Sequence, residues 1–282
     1  NVAYISDCNK IPTSSLKNLY KLKFLIIDCL KMEKHPSHFN YDDAINFIKL
    51  VKPKKAILTN LNIDLDLQLA AESLLGDSRG ALALIDVNDG SILSLISTPT
   101  FDPNWFVGGI SIERYQQLKN DEDLPLFDRS IKGLYPPGST IKPMIALAGL
   151  ELNKITIKDQ IFCPGYYKLP DYSRKFNDWK RYGHGHVELI EGIAQSCDVF
   201  FYDLAYKLGI DNIHDSLNHF QFGNKTGVDL PGELGGILPS REWKKINKDE
   251  PWYRGETLIA GIGQGFMTAS PLQLALATAA IA

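Results

Sequence analysis

At 282 residues, 44% hydrophobic and with a formal net charge of -3, the chain has enough apolar material for a packed core, in one large domain or two small ones. A sequence pI near 6.1 leaves no basic footprint for polyanions and argues against nucleic acid as a partner. No run of roughly 18 apolar residues offers a membrane span, and no signal peptide is recognisable.

Residues 1–60 read as strand (2–6), helix (14–22), strand (24–29), helix (41–51) and strand (55–59), an alternation that indicates an α/β layer. Charge changes at the end of this stretch. Up to Asn60 the basic residues are all Lys, 10 against 5 acids, so this part is +5 and the remainder is -8. The first Arg is Arg79. Polar residues fall at strand ends or beside them: Asp7, Asp28, and His35 and His38 in His-Pro-Ser-His, residue types that ligate metals in α/β hydrolases. Tyr-Ile-Ser-Asp-Cys (4–8), His-Pro-Ser-His (35–38) and Leu-Thr-Asn-Leu (58–61) resemble the C-terminal part of metallo-β-lactamase-fold phosphodiesterases. The family's His-x-His-x-Asp-His cluster is absent, and Asn62 stands where its late ligand histidine is expected. The reading is therefore an orphaned fragment, domain 1–61, with a metal-dependent phosphodiesterase as the weakest functional alternative.

From Ile63 the text changes to Ile-Asp-Leu-Asp-Leu-Gln (63–68), and the chain reads as a chimera joined near residues 61–67, by gene fusion or by sequence assembly. Residues 81–87 alternate toward Asn88-Asp89-Gly90 and residues 91–96 follow, which predicts a β-hairpin. Residues 97–134 read as irregular loops. Tyr135-Pro136-Pro137-Gly138 then breaks structure and allows a helix to start near Ser139. On that helix Ser139 and Lys142, three residues apart, share a face. A serine hydroxyl is a weak nucleophile until a neighbouring base takes its proton, and Ser-x-x-Lys supplies that base within one turn. Ser196-Cys197-Asp198 follows 57 positions after the nucleophile, ahead of an amphipathic helix over 199–208.

The stretches 133–143, 196–198, 222–233, 261–265 and 270–275 together resemble the penicillin-binding D,D-transpeptidases of the elongation type, over about residues 63–282. The resemblance implies an α+β fold, with a five-stranded antiparallel sheet between helical layers, as domain 62–282. It makes Ser139 the nucleophile, Lys142 its base, Ser196 a proton relay to the leaving amine, and Asp198 a group that fixes the lysine and the substrate amide. Lys225-Thr226-Gly227 looks like the family's third motif, yet it sits in the Thr-Gly-x-Asp-Leu-Pro-Gly-Glu segment that precedes the catalytic strand, and it is rejected as the catalytic triplet. Residue 1 opens inside a strand pattern and residue 282 falls inside a helix pattern (271–282), so the chain reads as truncated before that strand, with impaired activity expected.

Cys163, Asp178, His184 and Cys197 form a C-x14-D-x5-H-x12-C series, a donor set suited to a closed, structural tetrahedral Zn²⁺ site. Elongation-type relatives are similar in holding a metal beside the second motif. A Cys163–Cys197 disulfide is the alternative, and His186 is not expected to be a ligand. The family resemblance further implies stem peptides ending in D-Ala-D-Ala as substrates, β-lactams as inhibitors, an elongation-complex glycosyltransferase as partner, and a place on the periplasmic face of the bacterial inner membrane. A serine β-lactamase, a D,D-carboxypeptidase and a β-lactam sensor without turnover are the alternative readings.

Overall fold

The computed structural model describes residues 2–5, 10–31, 39–59, 63–107, 109–170 and 172–282. Asp7, His35, His38, Leu61 and Asn62 lie outside the described residues, as does the side chain of Asp28. The chain divides into two compact units, residues 1–74 with 84–95, and residues 75–83 with 96–282. Among the described residues no helix is long and apolar enough to cross a membrane.

The first unit is built on a parallel sheet. β1 (Val2–Ile5) and α1 (Thr13–Leu16) lead to β2 (Phe24–Lys31); β3 (Phe39–Asn40), α2 (Tyr41–Val51) and β4 (Lys55–Thr59) follow. β2 is central and pairs in parallel with β1, β3 and β4, with Ile26 opposite Tyr4 on one side and Ile57 on the other. Parallel neighbours require crossovers, which is why helices interrupt the strands. α2 places Ala44, Phe47, Ile48 and Val51 on one stripe, and the first, second and fourth of these are buried with Leu25 and Ile27 of β2. The expected alternation of elements is present, with two differences. The helix expected over 14–22 is a single turn, Thr13–Leu16, after which Asn18 and Leu19 donate to Ser15 O and Leu16 O in tighter turns. β3 is too short to leave a period in the sequence.

α3 (Leu65–Leu75) precedes a hairpin of β5 (Gly80–Ile85) and β6 (Ile92–Thr98). Burial alternates strictly along β6, as expected for a half-covered strand. The Asn88-Asp89-Gly90 turn is closed by the Ser91 carbonyl accepting from Asp86 N–H at 2.9 Å, with Gly90 at φ 77°. The unit boundary falls beyond the 61/62 position that sequence suggests, because α3 is bonded to residues 93–95. Asp64 N–H donates to Leu93 O (2.8 Å), and the Gln68 amide bridges Ser94 and Leu95.

In the second unit the stretch read as loops contains a helix, α4 (Ile112–Asn120). Ser111 caps it by accepting from Arg114 N–H, but only Leu118 is buried, so no apolar period marks it. α5 (Lys142–Glu151) follows, then two small antiparallel pairs, β7 (Ile161–Cys163) with β10 (Gly185–Val187) and β8 (Tyr166–Lys168) with β9 (Lys175–Asn177). α6 (Leu189–Ala194), α7 (Asp198–His219), α8 (Arg241–Lys248), α9 (Arg254–Ala260) and α10 (Pro271–Ala279) complete it. Gly209 (φ 75°, ψ 161°) breaks α7 where the amphipathic pattern ends at Leu208. The core lies between α5 and α7, where Ile141, Met144, Ile145, Phe200, Phe201 and Leu204 are buried, each contributing roughly 1.5–3 kcal/mol by area.

Two close approaches set the backbone around Ser139. Gly138 N–H donates to Gly263 O at 2.8 Å, and a Cβ on Gly263 would lie 2.2 Å from Gly138 O, at a φ of 71° that side chains rarely adopt. Gly263→Ala is therefore expected to destabilise the second unit by about 1–3 kcal/mol from backbone strain alone, with the clash adding to it. A denaturant midpoint within error of the parent would contradict this account.

Candidate active site

Pro137 and Gly138, the latter at φ 58°, turn the chain into a 3-10 turn (Gly138–Ile141), and α5 starts at Lys142 with Pro143 in its first turn. Proline fits there because its missing N–H has no partner to lose. In a 3-10 turn residues three apart eclipse, which puts the Ser139 and Lys142 side chains on one side.

The α5–α7 packing brings that side to the turn between α6 and α7. Lys142 is 1% exposed, and its ammonium makes three contacts: Ser196 O at 3.0 Å, Ser196 Oγ at 3.0 Å and Asp198 Oδ1 at 2.7 Å. Three donors therefore meet three acceptors. The Phe201 ring lies beneath it, 5.3 Å from Nζ to centroid. Ser196 Oγ is in turn 2.7 Å from Ser139 Oγ. Lysine, second-motif serine and nucleophile thus form a chain in which Ser139 bonds to Ser196 and reaches the lysine through it, a departure from the direct side-by-side pairing expected on one helix. The second oxygen of Asp198 accepts from Trp179 N–H at 3.3 Å. Both Asp198 oxygens are thus engaged within the protein, one on the lysine and one on backbone.

Lys225-Thr226-Gly227 lies outside strand structure. Thr226 N–H (2.7 Å), Thr226 Oγ1 (2.6 Å) and Gly227 N–H (3.2 Å) all donate to the buried carboxylate of Glu233, which ties the segment into a loop.

Cys163, Asp178, His184 and Cys197 come together behind the Ser196 turn, with their donor atoms all within 4.8 Å of one another. Among the described residues this is the one cluster of that kind. Both thiols lie 3.5 Å from Asp178 Oδ2, and His184 Nδ1 lies 3.5 Å from Cys163 Sγ and 3.6 Å from Asp178 Oδ1. The cysteines are free, and His184 Nε2 is buried without a partner. Burial pushes the Cys197 thiol up. Burial also acts to raise Asp178, but N–H donation from Lys180 and Val199 and the nearby His184 outweigh it and hold its carboxyl below the usual range. Two thiols, an imidazole and a carboxylate at these separations fit a tetrahedral zinc ion. His186 stands apart, its ring against Phe162.

Sequence reasoning missed Trp179 and Phe201. The first is visible only as the neighbour of Asp178; the second is one more apolar residue on a buried helix.

The site thus sets a buried lysine beside a pair of serines, with the Asp198 carboxylate closing it. The family description "Penicillin binding protein transpeptidase domain" matches residues 80–282, and the chain belongs to that family. It is 48% identical over 219 residues to the peptidoglycan D,D-transpeptidase MrdA of Acinetobacter baumannii (78% of this chain, 33% of that protein) and 42% identical over 238 residues to MrdA of Escherichia coli K12 (84% and 38%). Among solved structures it resembles Pseudomonas aeruginosa PBP2 in complex with WCK 5153, at 50% identity and a TM-score of 0.76, covering 79% of this chain and 50% of that one. It also resembles Helicobacter pylori PBP2 in complex with MreC, at 39% identity and 0.76, covering 80% and 42%. The chain spans 33% and 38% of the length of these two curated relatives.

Replacing Asp198 leaves a buried ammonium without its counter-charge. Asp198→Ala is expected to lower stability by about 3 kcal/mol, the usual loss when one partner of a buried pair is removed. Equilibrium unfolding of the variant beside the parent measures it, and a change under about 1 kcal/mol would mean that the pair behaves as a surface contact.

Proposed function

We propose that the chain carries the acyl-transfer centre of a peptidoglycan D,D-transpeptidase, a reading carried by the Lys142–Ser196–Ser139 chain of hydrogen bonds. Ser139 Oγ attacks the carbonyl of the penultimate D-Ala of a stem peptide. The proton leaves Oγ through the Ser196 hydroxyl toward Lys142, which serves as base in its neutral form. The C–N bond to the terminal D-Ala then breaks, and the proton returns along the same hydroxyls to the departing amine. An acyl-serine ester remains. An amine from a neighbouring strand attacks it, gives its proton to the site, and frees Ser139 as the cross-link forms. A β-lactam enters the first step in the same way and leaves Ser139 acylated.

Asp198 keeps the lysine in place. Cys163, Asp178, His184 and Cys197 would hold a structural zinc ion, which would supply no chemistry to the reaction and would tie the turn that bears Ser196 to the residues behind it. The likeness to PBP2 solved with MreC, and to a peptidoglycan synthase complex at 31% identity and a TM-score of 0.69, supports a partner in the synthase machinery. We place the domain on the periplasmic face of the inner membrane, where the substrate lies, with an elongation-complex glycosyltransferase beside it. For residues 1–61 we retain the metallo-β-lactamase-type fragment as the reading of the parallel β-α-β layer, with no activity assigned.

Incubation of the full chain with a penicillin is expected to add one mass equivalent to the parent and none to Ser139→Ala, read by intact-mass spectrometry. A folded parent that takes up no adduct would overturn the acyl-serine reading. Elemental analysis is expected to find about one zinc per chain, lost in Cys163→Ser. Zinc-free protein with a Cys163–Cys197 disulfide in peptide maps would replace the metal by the covalent link.

A further inference from the structure

The turn that bears Ser196 is gripped by a residue that the reaction scheme leaves unused. Trp179 directly follows Asp178, and although 65% of the residue is exposed, its polar edge faces the protein. Indole Nε1–H is shared between Gln195 O and Ser196 O, each at 3.1 Å. The Trp179 backbone N–H donates to Asp198 Oδ2 at 3.3 Å, and the ring meets His184 edge-on at 5.5 Å between centroids. The Ser196 carbonyl that the indole reaches is the same one that accepts from Lys142 Nζ.

Ser196 holds a φ of 53°, a left-handed conformation unfavourable for a residue with a Cβ. Here two successive carbonyls point toward one donor, so their dipoles oppose each other unless a positive group sits between them. The indole N–H is the group that reaches both, and the Lys142 ammonium adds a second donor on Ser196 O. The course of the turn is set by the cap of α6, in which Ser196 N–H donates to Ile193 O at 3.1 Å and Cys197 N–H to Gly192 O at 2.9 Å, and the indole N–H fixes the tilt of the 196–197 peptide within that cap. A small change of that tilt would lengthen the contacts of Ser196 Oγ with Ser139 Oγ and of Ser196 O with Lys142 Nζ.

We propose that Trp179 is a positioning residue of the acyl-transfer centre. Its side-chain N–H holds the Ser196 turn in the conformation that aligns the Lys142–Ser196–Ser139 chain, and its backbone N–H orients Asp198. The proposal rests on the transpeptidase reading above, and it gives the indole no contact with the reacting atoms.

The test follows penicillin acylation of the full chain by stopped-flow or timed intact mass. The parent is compared with Trp179→Phe and with a variant carrying 3-benzothienylalanine at 179, which keeps the bicyclic shape but replaces N–H by sulfur. The limiting acylation rate is expected to fall roughly ten- to a hundredfold in both variants. The half-saturating penicillin concentration, the zinc content and the thermal midpoint should stay close to the parent's. A benzothienyl variant acylating at the parent rate would overturn the proposal while leaving the acyl-serine reading intact. An effect confined to half-saturation would overturn it too, by making Trp179 a ligand contact. A parent that is not acylated at all removes the reading on which the proposal stands, and the proposal with it.

Discussion

An ammonium group taken out of water loses hydration worth several kcal/mol, and it persists in the folded state only where opposite charge and hydrogen-bond acceptors replace the water. Lys142 imposes this requirement on the second unit. Its acceptors come from one short turn, Ser196 to Asp198, so the turn and the start of α5 must be held within hydrogen-bond reach. The α5–α7 core does the coarse part of this by burying Met144 and Ile145 against Phe200, Phe201 and Leu204. The cap of α6 fixes the course of the turn, with Ser196 N–H on Ile193 O and Cys197 N–H on Gly192 O. The finer part falls to Asp178 and Trp179, which bond to the turn at Val199 N–H, Asp198 Oδ2 and the carbonyls of Gln195 and Ser196.

The nucleophile is fixed from the opposite direction. Gly138 and Gly263 approach so closely that neither the distance nor the φ at Gly263 leaves room for a side chain. Residues 261–265 therefore act as a backstop to the turn that carries Ser139. The same segment packs on α7, since a Cβ on Gly261 would lie 2.3 Å from Ala205 Cβ. One helix, α7, thus sets the position of both sides: its N-terminus carries Asp198, and its buried face locates the glycine segment behind Ser139. This shared dependence, with the bonds of Lys142 to the Ser196–Asp198 turn, gives the serine pair its 2.7 Å separation.

The sequence carried more of the site than of the architecture. Ser139, Lys142, Ser196 and Asp198 stand in short motifs whose spacing is chemical, and they meet in space; so do Cys163, Asp178, His184 and Cys197. The rejection of Lys225-Thr226-Gly227 agrees with its loop geometry on Glu233. What could not be read is how the motif residues touch. Periodicity places Lys142 beside Ser139, but only the tertiary position of Ser196 shows that the hydroxyl intervenes. α4 was illegible because a polar surface helix leaves a cap and no apolar stripe. Trp179 was illegible because an exposed aromatic has no periodic signature, and its function lies in one N–H. In the first unit the alternation of strand and helix was plain, whereas the position of the unit boundary depended on Gln68 reaching across to residues 94 and 95, a contact no local pattern encodes.

Residues of the Cys163–Asp178–His184–Cys197 cluster and of the Lys142 network interleave along both segments of this arrangement, and the interleaving has a geometric cause. Successive side chains on extended backbone point to opposite sides, and Cys197 has extended torsions (φ -67°, ψ 109°). Ser196 and Asp198 therefore face Lys142 while Cys197 between them faces the buried cluster. The facing segment repeats the pattern, with Asp178 turned to the cysteines and Trp179 to the Ser196 carbonyl. Neighbouring residues can serve the cysteine cluster on one side and the lysine–serine network on the other only if neither segment is helical there. That accounts for α7 beginning at Asp198 and no earlier: a helical Cys197 would rotate the thiol out of the cluster and the Ser196 hydroxyl away from the nucleophile together. The left-handed backbone at Ser196, costly by itself, is what stops α6 and α7 from fusing into one helix.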